Sequence, residues 1–163
     1  MTLGDGSVVE LNAQSRIVYP AIFPKGERRI QLSGEAIFNV TYNPDSPFVV
    51  ETFACDVEVL GTHFDVVADE AEKRFSTALF DGRVAVKNKM DGKSVILQPN
   101  DIVSLQNGEL LVSKLADRDD YLWMDGIISV SGIPFRQLMS KLERSYNVKI
   151  DIQRETMPVI KYK

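Results

Sequence analysis

His63 is the only histidine in the chain and Cys55 the only cysteine. A β-barrel metal centre built on imidazoles needs two or three of them, and a Ser–His–Asp triad needs its histidine beside a serine nucleophile. His63 cannot supply the first and is expected instead as a partly exposed strand residue. One cysteine rules out an intrachain disulfide, a CxxC pair and a four-cysteine zinc site. Cys55 is therefore expected to be inert and half buried. Paired carboxylates are the catalytic option that remains. Glu35, Asp56, Glu58 and Asp65 fall in strand-like stretches, and two of them facing across a groove would make a glycosidase pair. Acidic residues on the solvent face of a strand are ordinary, however, and a sequence with 9% aromatic residues and one tryptophan offers few platforms for sugar rings. GxSxG, P-loop and GxGxxG patterns are all missing from the sequence. Binding rather than catalysis is expected, with no metal and no cofactor. Glu35, in "LSGEAIF", is expected to turn inward beside Gly34 and to pair with an arginine or cap backbone N–H groups at a bend.

The elements that position these residues are mostly strands. The 163 residues carry a net charge of −4, with 44% hydrophobic and 26% charged residues, so a packed core is expected. Lysines and arginines are scattered, which argues against a nucleic-acid face. No stretch approaches the ~18 apolar residues of a membrane span, so the fragment itself is not expected to insert. The first residues, "MTLGDGSVVEL", lack the regions of a signal peptide, and the natural protein is expected to continue upstream.

From residue 8 to about 113, short runs of β-branched and alternating residues recur between turn signals. Val84 and Val86 alternate with Arg83, Ala85 and Lys87, and Val57 and Val59 with Asp56 and Glu58. Gly61 sits inside the long run "DVEVLGTHFDVVA" and predicts a bulge or tight bend. Asp81-Gly82, Asp91-Gly92 and Asn107-Gly108 predict type I′ hairpin turns. The expected fold is mainly β, an antiparallel sandwich or a short β-solenoid over residues 1–116.

Beyond residue 117 the period changes. Phe135, Leu138, Met139, Leu142 and Tyr146 fall on one helical stripe, opened by Pro134 and closed near Asn147. "GIISV" before it and "VKIDI" after it read as strands, so residues 117–163 are expected as a partial β-α-β module. Trp123 is expected as a hydrophobic plug between the two modules.

These stretches resemble the FecR-like domain. "LGDGSVVELNAQSRIVYP", "RRIQLSGEAIFNV", "PFVVET", "VEVLGTHFDV", "LFDGRVAVKN" and "VILQPND" follow in that family's order and spacing. Trp123, Gly126, Pro134 and "LERSYNVKI" resemble the small domain that follows it, which is similar to a receptor signalling domain. The resemblance implies the periplasmic sensor region of an anti-sigma factor. The full protein would be anchored in the inner membrane by a single span outside this sequence. An N-terminal cytoplasmic domain, also outside it, would hold an extracytoplasmic-function sigma factor. The periplasmic part would sense a TonB-dependent outer-membrane receptor through that receptor's signalling domain.

The open edge expected around Val148, Lys149, Ile150, Asp151 and Ile152 is the candidate partner-binding segment, by strand addition. Gly34, Glu35, Gly61, Trp123, Gly126, Pro134, Phe135, Leu138, Leu142 and Tyr146 are the expected structural residues. The alternative is a carbohydrate- or small-ligand-binding β-domain of an envelope uptake system.

Overall fold

The computed structural model describes residues 1–115, 135–146 and 148–151. The chain divides into two compact units, one of Met1–Leu11 and Ser15–Leu115, the other of Asn12–Gln14 and Ala116–Lys163.

The first unit is an 11-stranded sheet. Its strands are β1 (Val8–Leu11), β2 (Arg16–Val18), β3 (Arg28–Asn39), β4 (Phe48–Glu51), β5 (Cys55–Val59), β6 (His63–Asp69), β7 (Arg74–Asp81), β8 (Val84–Asn88), β9 (Ser94–Leu97), β10 (Asp101–Gln106) and β11 (Glu109–Lys114). The sheet order is β11-β10-β7-β6-β3-β4-β5-β8-β9, with β1 and β2 also on β3. All pairs are antiparallel except β3–β4.

β3 belongs to both halves of this sheet. Up to Ser33 its neighbours are β2 and β4, and from Gly34 onward they are β6 and β1. Gly34 makes the corner. Its φ is +100°, and a Cβ there would lie 2.5 Å from Ser15 Oγ, so both the conformation and the space require glycine. Ile30, Leu32, Ala36 and Phe38 keep one parity through the corner and are all buried. The single mixed sheet thus nearly closes over one core. Phe38 stacks on Phe64 at 5.1 Å, and Val57, Val86 and Val103 from the other strands are fully buried in the same cluster.

Hairpins alternate between the halves along the chain. β4–β5 and β8–β9 lie on one side, β6–β7 and β10–β11 on the other. The three expected hairpin turns therefore differ. At Asn107-Gly108 both φ angles are positive, 50° and 83°, and the turn joins β10 to β11 as a two-residue hairpin should. At Asp81-Gly82 only the glycine is positive and β7 does not pair with β8. Both edges of β7 are already taken by β6 and β10, so this turn carries the chain across to the other half. Gly92 closes a longer loop, its N–H donating to Asn88 O at 3.0 Å. Gly61 lies in a bend that separates β5 from β6, rather than inside one long strand. A Cβ on it would run into Tyr42 Cα. Cys55 is fully buried, not half buried, because it takes an inward position of β5 with Val57 and Val59.

In the second unit, α1 spans Phe135–Tyr146. Leu138 is buried, Phe135, Met139 and Leu142 are half-buried, and Tyr146, at the end of the expected stripe, is exposed. The strand expected from Val148 does not form over residues 148–151. Its amides are turned back to the helix: Val148 N–H donates to Glu143 O at 3.1 Å and Ile150 N–H to Glu143 Oε1 at 2.7 Å. Trp123, Gly126, Pro134, Ile152 and the strand expected over 127–130 lie outside the described residues.

Candidate functional site

The most densely bonded side chain of the first unit was missed by sequence reasoning. Arg28, the first residue of β3, is buried, and its guanidinium binds four separate segments. Nε donates to Ser46 O at 2.8 Å, Nη1 to Asp5 Oδ2 at 2.7 Å and to Thr41 O at 2.8 Å, and Nη2 to Leu60 O at 3.2 Å. Its carbon Cζ lies 5.4 Å from the centre of the Phe48 ring. Asp5 completes the site by accepting from the N–H and hydroxyl of Ser7. Burial works against the Asp5 carboxylate, but hydrogen bonds from Ser7 and Arg28 outweigh it and hold its pKa below the usual value. The signal in the sequence was the "GDGS" turn together with an arginine opening an apolar strand, a position where a buried cation needs a partner.

A second charge cluster covers the outer side of the β3–β4–β5 region. Arg29 pairs with Glu27 at 2.9 Å and lies 3.6 Å from Glu51 and 3.5 Å from Asp56. Lys89 reaches the same two acids, Glu51 at 3.2 Å and Asp56 at 3.4 Å, and donates to Thr52 O at 2.6 Å. The Lys89 hydrogen bond lowers the Glu51 pKa against some burial. Beside this cluster β3 parts from β4 after Gln31 and meets β6 at Gly34. An open groove of about 510 Å³ fills the fork, with Leu32 and Ser33 between walls that carry Arg16, Glu51, Phe53, Glu70 and Lys89.

The four candidate catalytic carboxylates separate into two pairs. Asp56 and Glu58 project from β5, in the β3–β4–β5 half. Glu35 and Asp65 belong to the other half and are diagonal neighbours, since Glu35 opposes Val67 and Asp65 opposes Ile37. Asp65 is 1% exposed. Burial, reinforced by Glu35, raises its pKa well above the usual value, although the Val66 N–H and Arg74 pull the other way. A carboxyl sealed from solvent in this way does not front a groove where a glycosidic bond could sit. Glu35 itself is half-buried next to the Gly34 corner, and its N–H donates to Ser15 Oγ at 2.8 Å.

His63 is half-buried and tilts against the Phe80 ring at 4.9 Å. Among the described residues no three acidic, histidine or cysteine side chains cluster as metal ligands. Burial pushes the Cys55 thiol up to about 12, so it is held as the unreactive thiol. Of the candidate docking residues, Val148, Lys149 and Asp151 are exposed and Ile150 is half-buried. Among the described residues no helix is long and apolar enough to cross a membrane.

The family model described as FecR protein matches residues 1–85. Among solved structures, a crystal structure at 1.65 Å of a candidate anti-sigma factor from Parabacteroides distasonis superposes with a TM-score of 0.81. A second structure under the same description, at 2.50 Å, gives 0.80. In both cases the identity is 33%, and the match covers 90% of this chain and 69% of the other. No curated protein matches the chain.

Proposed function

Because the chain belongs to the FecR protein family, we propose that it is the periplasmic sensor region of a membrane-anchored anti-sigma factor. It relays the state of a TonB-dependent outer-membrane receptor to an extracytoplasmic-function sigma factor by protein–protein binding. The family match over residues 1–85, joined to a structural match that runs over 90% of the chain, is the observation that carries this reading. The sigma factor would be held by a cytoplasmic domain outside this sequence. The single inner-membrane span would also lie outside it.

In this reading the β-rich domain expected over residues 1–116 is a stiff relay. The Arg28 hub ties four segments together at one point and the Gly34 corner sets the angle between the sheet halves. The module expected over residues 117–163 meets the receptor's signalling domain. Val148 to Ile152 form part of that contact, with the exposed Lys149 and Asp151 tuning the choice of partner. Strand addition at this segment would first require the Glu143–Ile150 hydrogen bond to open.

The test is hydrogen exchange and cross-linking of the chain with the signalling domain of its cognate receptor. Protection at 148–152 that Lys149→Glu weakens is the expected result. Protection confined to residues 1–115, or no complex at all, would overturn the proposed docking role.

A further inference from the structure

The longest strand edge left open among the described residues is that of β11, Glu109–Lys114. Among the described residues β11 ends the sheet order and pairs only with β10, in an unbroken register from Glu109 opposite Gln106 to Lys114 opposite Asp101. Leu111 is 45% exposed and Val112 46%. Sheet edges are normally blunted by proline, a bulge or inward charge. None of these interrupts β11, whose one cation, Lys114, stands at its last position.

We propose that β11 is a self-association edge, on which a second copy of this chain docks its own β11 antiparallel. The charge order within the strand favours that partner. β11 opens with Glu109 and closes with Lys114, so an antiparallel copy brings each acidic end to a basic end, whereas a parallel copy would set like against like. The register follows from the pleat. Directly opposed residues point to the same face, so a two-fold axis must pass through a residue of the strand rather than between two. Centred on Leu111, the pairing opposes Leu111 to itself, Leu110 to Val112 and Glu109 to Ser113. Centred on Val112 it would set Leu110 against Lys114, and centred on Leu110 it would set Glu109 against Leu111. The register centred on Leu111 alone keeps every opposed apolar residue with an apolar one. A single short edge buries less than the ~1,200 Å² of a standard stable interface. The dimer is therefore weak and concentration-dependent, suited to copies held at high local density.

Sedimentation velocity on the full chain, from about 1 μM to about 1 mM, tests this. The expected result is a monomer at the low end and a dimer at the high end, with amides of 109–114 slowing in hydrogen exchange as the dimer forms. Leu111→Lys sets two ammonium groups opposite each other at the centre and should move the midpoint upward at least tenfold, while Leu111→Val should leave it near that of the parent. Leu111 is exposed, and a thermal melt checks that each variant folds. A monomer throughout overturns the proposal, as does a dimer indifferent to Leu111→Lys or protected elsewhere. Protection of 109–114 that arises only with an added receptor domain, while the chain stays monomeric, assigns the edge to a different protein and overturns it too.

Discussion

Arg28 Nη1 donates to the Thr41 carbonyl at 2.8 Å, so the residue that opens β3 touches the chain just beyond the residue that closes it. A straight strand of that length would hold its ends some 40 Å apart. The Gly34 corner folds β3 until its two ends meet, and Arg28 locks them there.

Arg28→Met should therefore destabilise the domain by about 3–5 kcal/mol, because it strips the cationic partner from Asp5 and removes the hydrogen bonds to the Ser46, Thr41 and Leu60 carbonyls. Arg28→Lys should recover little of this, since a single ammonium cannot reproduce the fork. Urea denaturation followed by circular dichroism measures both. A loss below about 1 kcal/mol would show that the hub is dispensable.

Gly34→Ala should cost more than the ~1–3 kcal/mol of an unfavourable backbone conformation, because the new methyl also strikes Ser15. The Ser15 backbone Cα itself lies 2.7 Å from the new methyl, so adding Ser15→Gly should not restore stability. It also gives up the hydrogen bond that Ser15 Oγ accepts from the Glu35 N–H. A double variant that melts like the parent would show that the penalty lies in the Ser15 side chain alone.

Asp5 and Asp65 respond to pH in opposite senses. The folded-state pKa of Asp5 is depressed, so its contribution is present above the unfolded value near 3.8 and is lost as pH falls through the folded value. That of Asp65 is raised, so its contribution is full below 3.8 and is lost as pH rises toward the folded value. Each unit of the rise corresponds to about 1.4 kcal/mol. Asp65→Asn should thus raise the melting temperature at pH 7 relative to the parent and lose that advantage near pH 4. An advantage independent of pH would show that Asp65 is already ionised in the fold.

Along α1 the order of truncation costs should be Leu138→Ala, then Phe135→Ala, then Tyr146→Ala. Leu138 is buried and should cost about 2–5 kcal/mol, whereas Tyr146, at 62% exposure, should cost almost nothing. Thermal melts of the three variants decide it. A Tyr146→Ala loss equal to that of Leu138→Ala would mean that the whole stripe is core.

Much of the first unit was legible because it follows local rules. Val57, Val59, Val84 and Val86 alternate as strands with one buried face, and Asn107-Gly108 makes the turn its residue types demand. What sequence reading could not supply was pairing at a distance. Asp81-Gly82 has hairpin residues but no hairpin, because β7 had already found β6 and β10. Arg28 looked like an ordinary charge at a strand start, since its acceptors come from residues 5, 41, 46 and 60. The segment after α1 was read as a strand from the alternation of Val148, Ile150 and Ile152. A side chain seven residues upstream takes the Ile150 amide first.

β3 hydrogen-bonds to four strands, β1, β2, β4 and β6, two in each half of the sheet. Neither half can assemble ahead of it, and neither survives its loss. Chain entropy must be surrendered for both layers before either is repaid, which slows folding toward the millisecond-to-second range of topologies with distant pairings. The same dependence makes melting all-or-none: a protease or a pulling force meets either the whole domain or an open chain, with no half-folded sheet between.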